Sequence, residues 1–207
     1  MFNVVKSAAP RPVFLYNDSD IVALVKSDFS DKCYLCEEKT PRHLEVEHFY
    51  PQAIYPHLIN DWANLLCICE KCNKIRPKKI NTLNDDEVLN CCIDDVETTI
   101  KLKYSEINGT IEINSDSSSI KKENTVNLLN KIHNGIATES LSYIALRRMI
   151  AEELAELVKE IEYLETTILK SVFKERITKR LSRTSCFSAI KRNFITEEHP
   201  ILASLFD

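Results

Sequence analysis

Two thiol pairs, Cys33-Tyr-Leu-Cys36 and Cys69-Glu-Lys-Cys72, restrict this 207-residue chain more than any other feature. A C-x-x-C step chelates one side of a tetrahedral ion, and a second such step completes it. Cys33, Cys36, Cys69 and Cys72 therefore predict a structural zinc site with no open coordination position. Positions 37 to 68 separate the pairs, so a strand, a loop and a helix must be held between two knuckles. Cys67 is an alternative to Cys69, but Cys67 and Cys72 lack the x-x step. Cys91, Cys92 and Cys186 show no ligand spacing and read as small core residues. Met1 to Pro10 hold one lysine and no apolar signal core, and no apolar run is long enough to span a bilayer. A cytoplasmic setting is expected, where disulfides are rare.

Charge and glycine content narrow the chemistry. A net charge of −4 argues against a protein that coats nucleic acid through bulk charge, so any such contact must be local. The two glycines, Gly109 and Gly135, exclude a Gly-rich phosphate loop. If nucleotide hydrolysis matters to this chain, another subunit must supply it.

Phosphodiester hydrolysis needs a base for water, a cation on the phosphate and a group that aims the base. All three are present between and beside the knuckles. Leu44 and Val46 alternate with Glu45 and Glu47, which predicts a short strand in the segment His43 to Tyr50, with Glu47-His48 near its end. His48 can act as the base, since a neutral imidazole titrates near working pH. Glu47 and Asn73 offer hard oxygens suited to Mg²⁺ or Mn²⁺, with Glu45 the alternative carboxylate. Asn64 can hold the His48 segment in register by hydrogen bonds. Lys71, Lys74, Arg76, Lys78 and Lys79 cluster beside Asn73 and are expected to contact phosphate. His43, His57, His133 and His199 read as structural.

Together, Cys33-Tyr-Leu-Cys36, Val46-Glu-His48-Phe-Tyr-Pro51, Trp62-Ala-Asn64-Leu-Leu66 and Cys69-Glu-Lys-Cys72-Asn73-Lys74 resemble the zinc-bound ββα-metal core of HNH endonucleases. The resemblance implies His48 as general base, Glu47 and Asn73 as ligands of the catalytic metal and Asn64 as orienter. The chain carries Glu47 where the family usually has Asp, and Asn73 where His is frequent. These differences bear on the metal more than on the reaction. More widely, the chain is similar to the HNH subunit of Septu-type and retron-associated anti-phage systems. That similarity implies a PtuA-like ATPase partner of the ABC/SMC class, a hetero-oligomeric complex and a nucleic-acid substrate, DNA ahead of RNA or tRNA. The rival reading is a catalytically inactive zinc-finger module that binds nucleic acid or protein.

The fold class expected is α+β in three regions. Residues 1–80 form the zinc-stapled nuclease core, led by a helix within Phe14 to Phe29, with a turn running from Trp62 into the helix that carries Cys72. Residues 81–120 are a connector, whose Ile100-x-Leu102-x-Tyr104 and Ile111-x-Ile113 alternations flank Asn108-Gly109 as a β-hairpin. Residues 121–207 are helical: one helix over Asn124 to Asn134 stopped by Gly135, a long one from about Glu139, and a short last one through Phe187, Ile190 and Phe194. Ile150, Leu154, Leu157, Ile161, Leu164, Ile168 and Val172 make a heptad-like seam on the long helix. Six glutamates in 151–165 precede eight Lys or Arg in 170–192. The seam needs a cover, either the Asn124 helix or a docked partner subunit.

Overall fold

A computed structural model describes residues 1–77, 86–135 and 141–206. It is a mixed α and β chain with two small antiparallel sheets. The order is α1 (Ser19–Asp28), β1 (Leu44–His48), β2 (Leu65–Cys69), α2 (Glu70–Ile75), α3 (Val96–Thr99), β3 (Ile100–Ser105), β4 (Thr110–Ser115), α4 (Ile120–His133), α5 (Leu141–Thr166), α6 (Lys170–Leu181) and α7 (Ser188–Glu198), with short 3-10 turns at Pro56–Leu58, Trp62–Asn64 and Pro200–Leu205. No described helix is long and apolar enough to cross a membrane.

The first sheet pairs β1 with β2, with Leu44 opposite Cys69 and His48 opposite Leu65. The turn expected to run from Trp62 into the Cys72 helix is instead a 3-10 turn followed by strand β2. Its sequence, Leu-Leu-Cys-Ile-Cys, has no polar alternation because all five residues are buried. A strand covered on both faces loses the period-two signal. The leading helix is shorter than its predicted span, and Ile21 and Val25 are its buried residues.

The second sheet is the expected hairpin. Leu102 pairs with Ile113 and Tyr104 with Ile111, and Gly109 closes the loop at φ 60°, which glycine adopts at no steric cost. Helix α4 starts four residues before its predicted beginning. Ser119 caps it by accepting from the Lys122 amide at 3.3 Å. Its stop at Gly135, φ 83°, is as expected.

The long helix departs most from expectation. Its predicted start near Glu139 lies outside the described residues. It ends at Thr166, and α6 turns back along it, so the seam stops at Leu164 and Ile168 and Val172 are exposed. Ile177 and Leu181 of α6 and Ile195 of α7 close over Leu157 and Ile161 as a second small core. The charge runs pair across this hairpin: Arg180 with Glu160 at 2.9 Å and Glu153 at 3.2 Å, and Arg176 with Glu160 at 2.9 Å. The seam from Leu157 to Leu164 is thus covered from within the chain by α6 and α7. The main core draws on all three sequence regions, from Met1 through β2, the β3–β4 hairpin and α4 to Ile190.

Candidate functional site

The thiols come together as the spacing predicts. Cys33, Cys36, Cys69 and Cys72 are all buried and their sulfurs lie within 4.8 Å of one another. Cys36 Sγ stands 3.8 Å from Cys69 Sγ. A tetrahedron with metal–sulfur bonds of about 2.3 Å has edges of about 3.8 Å. The cluster could therefore hold a metal such as zinc. Hydrogen bonds among the thiols, those with Cys33 foremost, push Cys36 and Cys72 well up and pull Cys69 down. Cys67 lies outside the cluster, and burial pushes its thiol up. The first knuckle is pinned to β2 by the Tyr34 amide donating to the Cys67 carbonyl at 2.9 Å.

Antiparallel register puts the thiol cluster and His48 at opposite ends of the β1–β2 ribbon. Helix α2 leaves the ribbon at the thiol end, carrying Cys72 into the cluster and Asn73 toward β1. The Asn73 amide nitrogen donates to Glu45 at 3.2 Å and to Glu47 at 3.3 Å. Glu45 and Glu47 share one strand face because side chains alternate. One turn on, Arg76 is buried, and its Nη2 donates to the carbonyls of His48, at 2.6 Å, and Phe49. Its Nε and Nη1 have no hydrogen-bond partner among the described residues.

His48 points to the opposite strand face and is 1% exposed. Its Nε2 lies 2.8 Å from the Ile59 carbonyl oxygen, and the Tyr16 ring meets its edge with centroids 4.7 Å apart. A carbonyl only accepts, so Nε2 carries the hydrogen, and in the neutral ring Nδ1 keeps the lone pair. Asn64 is buried and clamps the intervening loop. Its Oδ1 accepts from the Tyr50 amide at 2.7 Å, and its Nδ2 donates to the carbonyls of Tyr50 at 3.1 Å and Leu58 at 3.2 Å. Among the described residues, the four-thiol cluster is the one group of three or more His, Cys, Asp or Glu placed to share an ion, and Glu45, Glu47 and His48 do not make a second.

The basic residues divide. Lys74 is exposed and pairs with Glu70. Lys71 reaches the Ser142 carbonyl at 3.3 Å and the Tyr143 ring at 5.5 Å. Arg76 faces inward, while Lys78 and Lys79 lie outside the described residues. Sequence reading missed the Ile59 carbonyl, Tyr16 and Lys6, whose ammonium donates to the carbonyls of Trp62 and, at 2.7 Å, Leu65. Burial lowers that ammonium to about 8. A backbone acceptor leaves no mark in side-chain pattern, so no signal could have pointed to Ile59.

No protein-family model matches the chain. Among curated proteins it is similar to the Septu protein PtuB of Bacillus thuringiensis, 33% identical over 76 residues, or 35% of this chain and 29% of that relative. It is also similar to the Septu protein PtuB of Bacillus mycoides (strain KBAB4), 24% identical over 204 residues, or 84% of this chain and 63% of the relative. The chain thus spans less than two thirds of either relative's length, and its homology to Septu protein PtuB is at low identity.

Proposed function

We propose that the chain is a metal-dependent HNH-type endonuclease and the nuclease effector of a Septu-type anti-phage complex containing a PtuA-like ATPase. The observation that carries this reading is Asn73 on α2 bridging Glu45 and Glu47 on β1, the strand that ends at His48. Turning the Asn73 amide over about Cβ–Cγ exchanges its nitrogen for its oxygen, and the two carboxylates and that oxygen then make a hard donor set suited to Mg²⁺ or Mn²⁺. Glu45, Glu47 and Asn73 would hold such an ion, which would supply positive charge to the scissile phosphate and its leaving oxygen.

The remaining work falls to the chain's own groups. His48 takes the proton from the attacking water at Nδ1, because Nε2–H is committed to Ile59. Asn64 fixes the Leu58 carbonyl beside Ile59, and so holds the acceptor that sets the imidazole tautomer. Lys74 and Lys71 flank Asn73, and the exposed Lys74–Glu70 pair is weak enough to be exchanged for a phosphate contact. DNA is the favoured substrate, with RNA, including tRNA, second.

One observation favours a different reading, a zinc-stapled binding module: His48 is 1% exposed beneath Tyr16. Incubation of the purified chain, alone and with its ATPase partner, with plasmid DNA and tRNA in Mg²⁺ or Mn²⁺ separates the two. Cutting by the parent and none by His48→Ala supports the nuclease. Binding without cutting by either supports the module.

A further inference from the structure

A cavity of about 840 Å³ among the described residues is a groove between the β3–β4 hairpin, α5 and α7. It shares no residue with the site above. Leu102, Leu154, Ile190 and Phe194 make its floor, and Ala151, Ala155 and Val158 make a wall along α5. Its rim is acidic. The two rim lysines are already matched, Lys103 by Glu197 at 2.9 Å and Lys159 by Glu156 at 2.7 Å. The rim carboxylates of Glu106, Glu112 and Glu162 are exposed and make no ion pair with described residues.

The same chain displays the complement. At the α5–α6 turn Ile168, Leu169 and Val172 are 97%, 57% and 48% exposed. Contiguous apolar exposure of this kind marks an interaction surface. Lys170 and Lys174 stand among these residues, both exposed and neither paired with a carboxylate among the described residues. An apolar, acid-rimmed groove and an apolar, base-flanked turn match in both polarity and charge. The turn cannot fill its own groove. Both sit on the one rigid helix α5, where Leu154 and Thr166 are held about 18 Å apart at 1.5 Å per residue.

We propose that the groove is filled by the α5–α6 turn of a second copy of this chain. Each copy offers one turn and one groove, so mutual exchange closes a two-fold dimer and leaves neither surface open. The dimer goes beyond the nuclease reading and does not depend on it.

Sedimentation equilibrium across a concentration series tests it, with circular dichroism to verify that each variant keeps its helices. The parent should show a monomer–dimer equilibrium. Ile168→Asp with Leu169→Asp should abolish the dimer from the turn side, and Ala155→Trp should abolish it by filling the groove. Lys170→Glu with Lys174→Glu should weaken dimerisation, and adding Glu106→Lys, Glu112→Lys and Glu162→Lys to that chain should restore it. A parent that is monomeric at every concentration overturns the proposal. So does a dimer undiminished by Ala155→Trp, or a groove that takes a basic amphipathic peptide while the parent stays monomeric.

Discussion

At the scale of single residues, what a side chain can do depends on which of its atoms are free. His48 has Nε2 tied to the Ile59 carbonyl, so its other nitrogen is the one left to serve as the proposed base. Removing it should lower cleavage by about 10²–10⁴-fold with metal content unchanged, as expected for loss of a positioned base. Arg76 separates two roles. The cluster of cations beside Asn73 reads in sequence as a phosphate surface, yet Arg76 turns inward to the carbonyls of His48 and Phe49. Arg76→Met keeps the bulk and removes the donor. It should destabilise the fold by about 1–3 kcal/mol and slow turnover while leaving substrate affinity nearly unchanged. A rise in KM with kcat intact would return Arg76 to the phosphate surface. The types and spacing of His48, Asn64 and Asn73 were legible in sequence. The direction of a guanidinium was not, because burial is set by what packs above it.

At the scale of elements, the thiol pairs announce themselves, since ligand spacing is local and chemically specific. Cys36→Ser or Cys72→Ser should lose bound zinc and the cooperative unfolding transition, because metal binding and folding of such sites are one equilibrium. Zinc analysis and thermal melts check this, and a mutant as stable as the parent contradicts the staple. Strand β2 was illegible because full burial erased its alternation. The break after Thr166 was illegible for a different reason. Ile168 and Val172 continue the seven-residue pattern of α5, and only the return of α6 onto Leu157 and Ile161 shows that the seam has ended. Leu157→Ala, at the centre of that contact, should cost about 2–5 kcal/mol and is read by denaturant unfolding.

Across the whole molecule, buried charge ties the first knuckle to the C-terminal helices. Glu37, just after Cys36, accepts from Ser188 Oγ at 2.8 Å and pairs with the Met1 amino group at 3.1 Å, while Lys32 donates to the carbonyl of Ser185 at 2.8 Å. Burial alone would raise the Glu37 carboxyl, but the Met1 amine, Lys32 and Ser188 outweigh it and hold it at about 2. His133 is buried, and neither ring nitrogen has a partner among the described residues. Desolvation, helped by the Met1 amine, lowers it from 6.5 to about 3. Between those values the unfolded chain binds a proton at residue 133 that the folded chain does not, so acid favours unfolding. That stabilisation is complete above pH 6.5 and fades toward pH 3. The Glu37 contribution is complete above its ordinary 4.5 and is lost as pH falls through about 2. His133→Leu should flatten the fall in stability between pH 6.5 and 4.5, whereas an unchanged slope would place the acid sensitivity elsewhere.

The most direct measurement is cleavage of plasmid DNA and tRNA in Mg²⁺ by the chain prepared with the proposed PtuA-like ATPase, parent against His48→Ala, with zinc content measured on both. Broken strands from the parent, intact strands from the variant and equal zinc in each are expected of the proposed nuclease. Equal cutting by both, or none by the parent under any divalent ion, would contradict it.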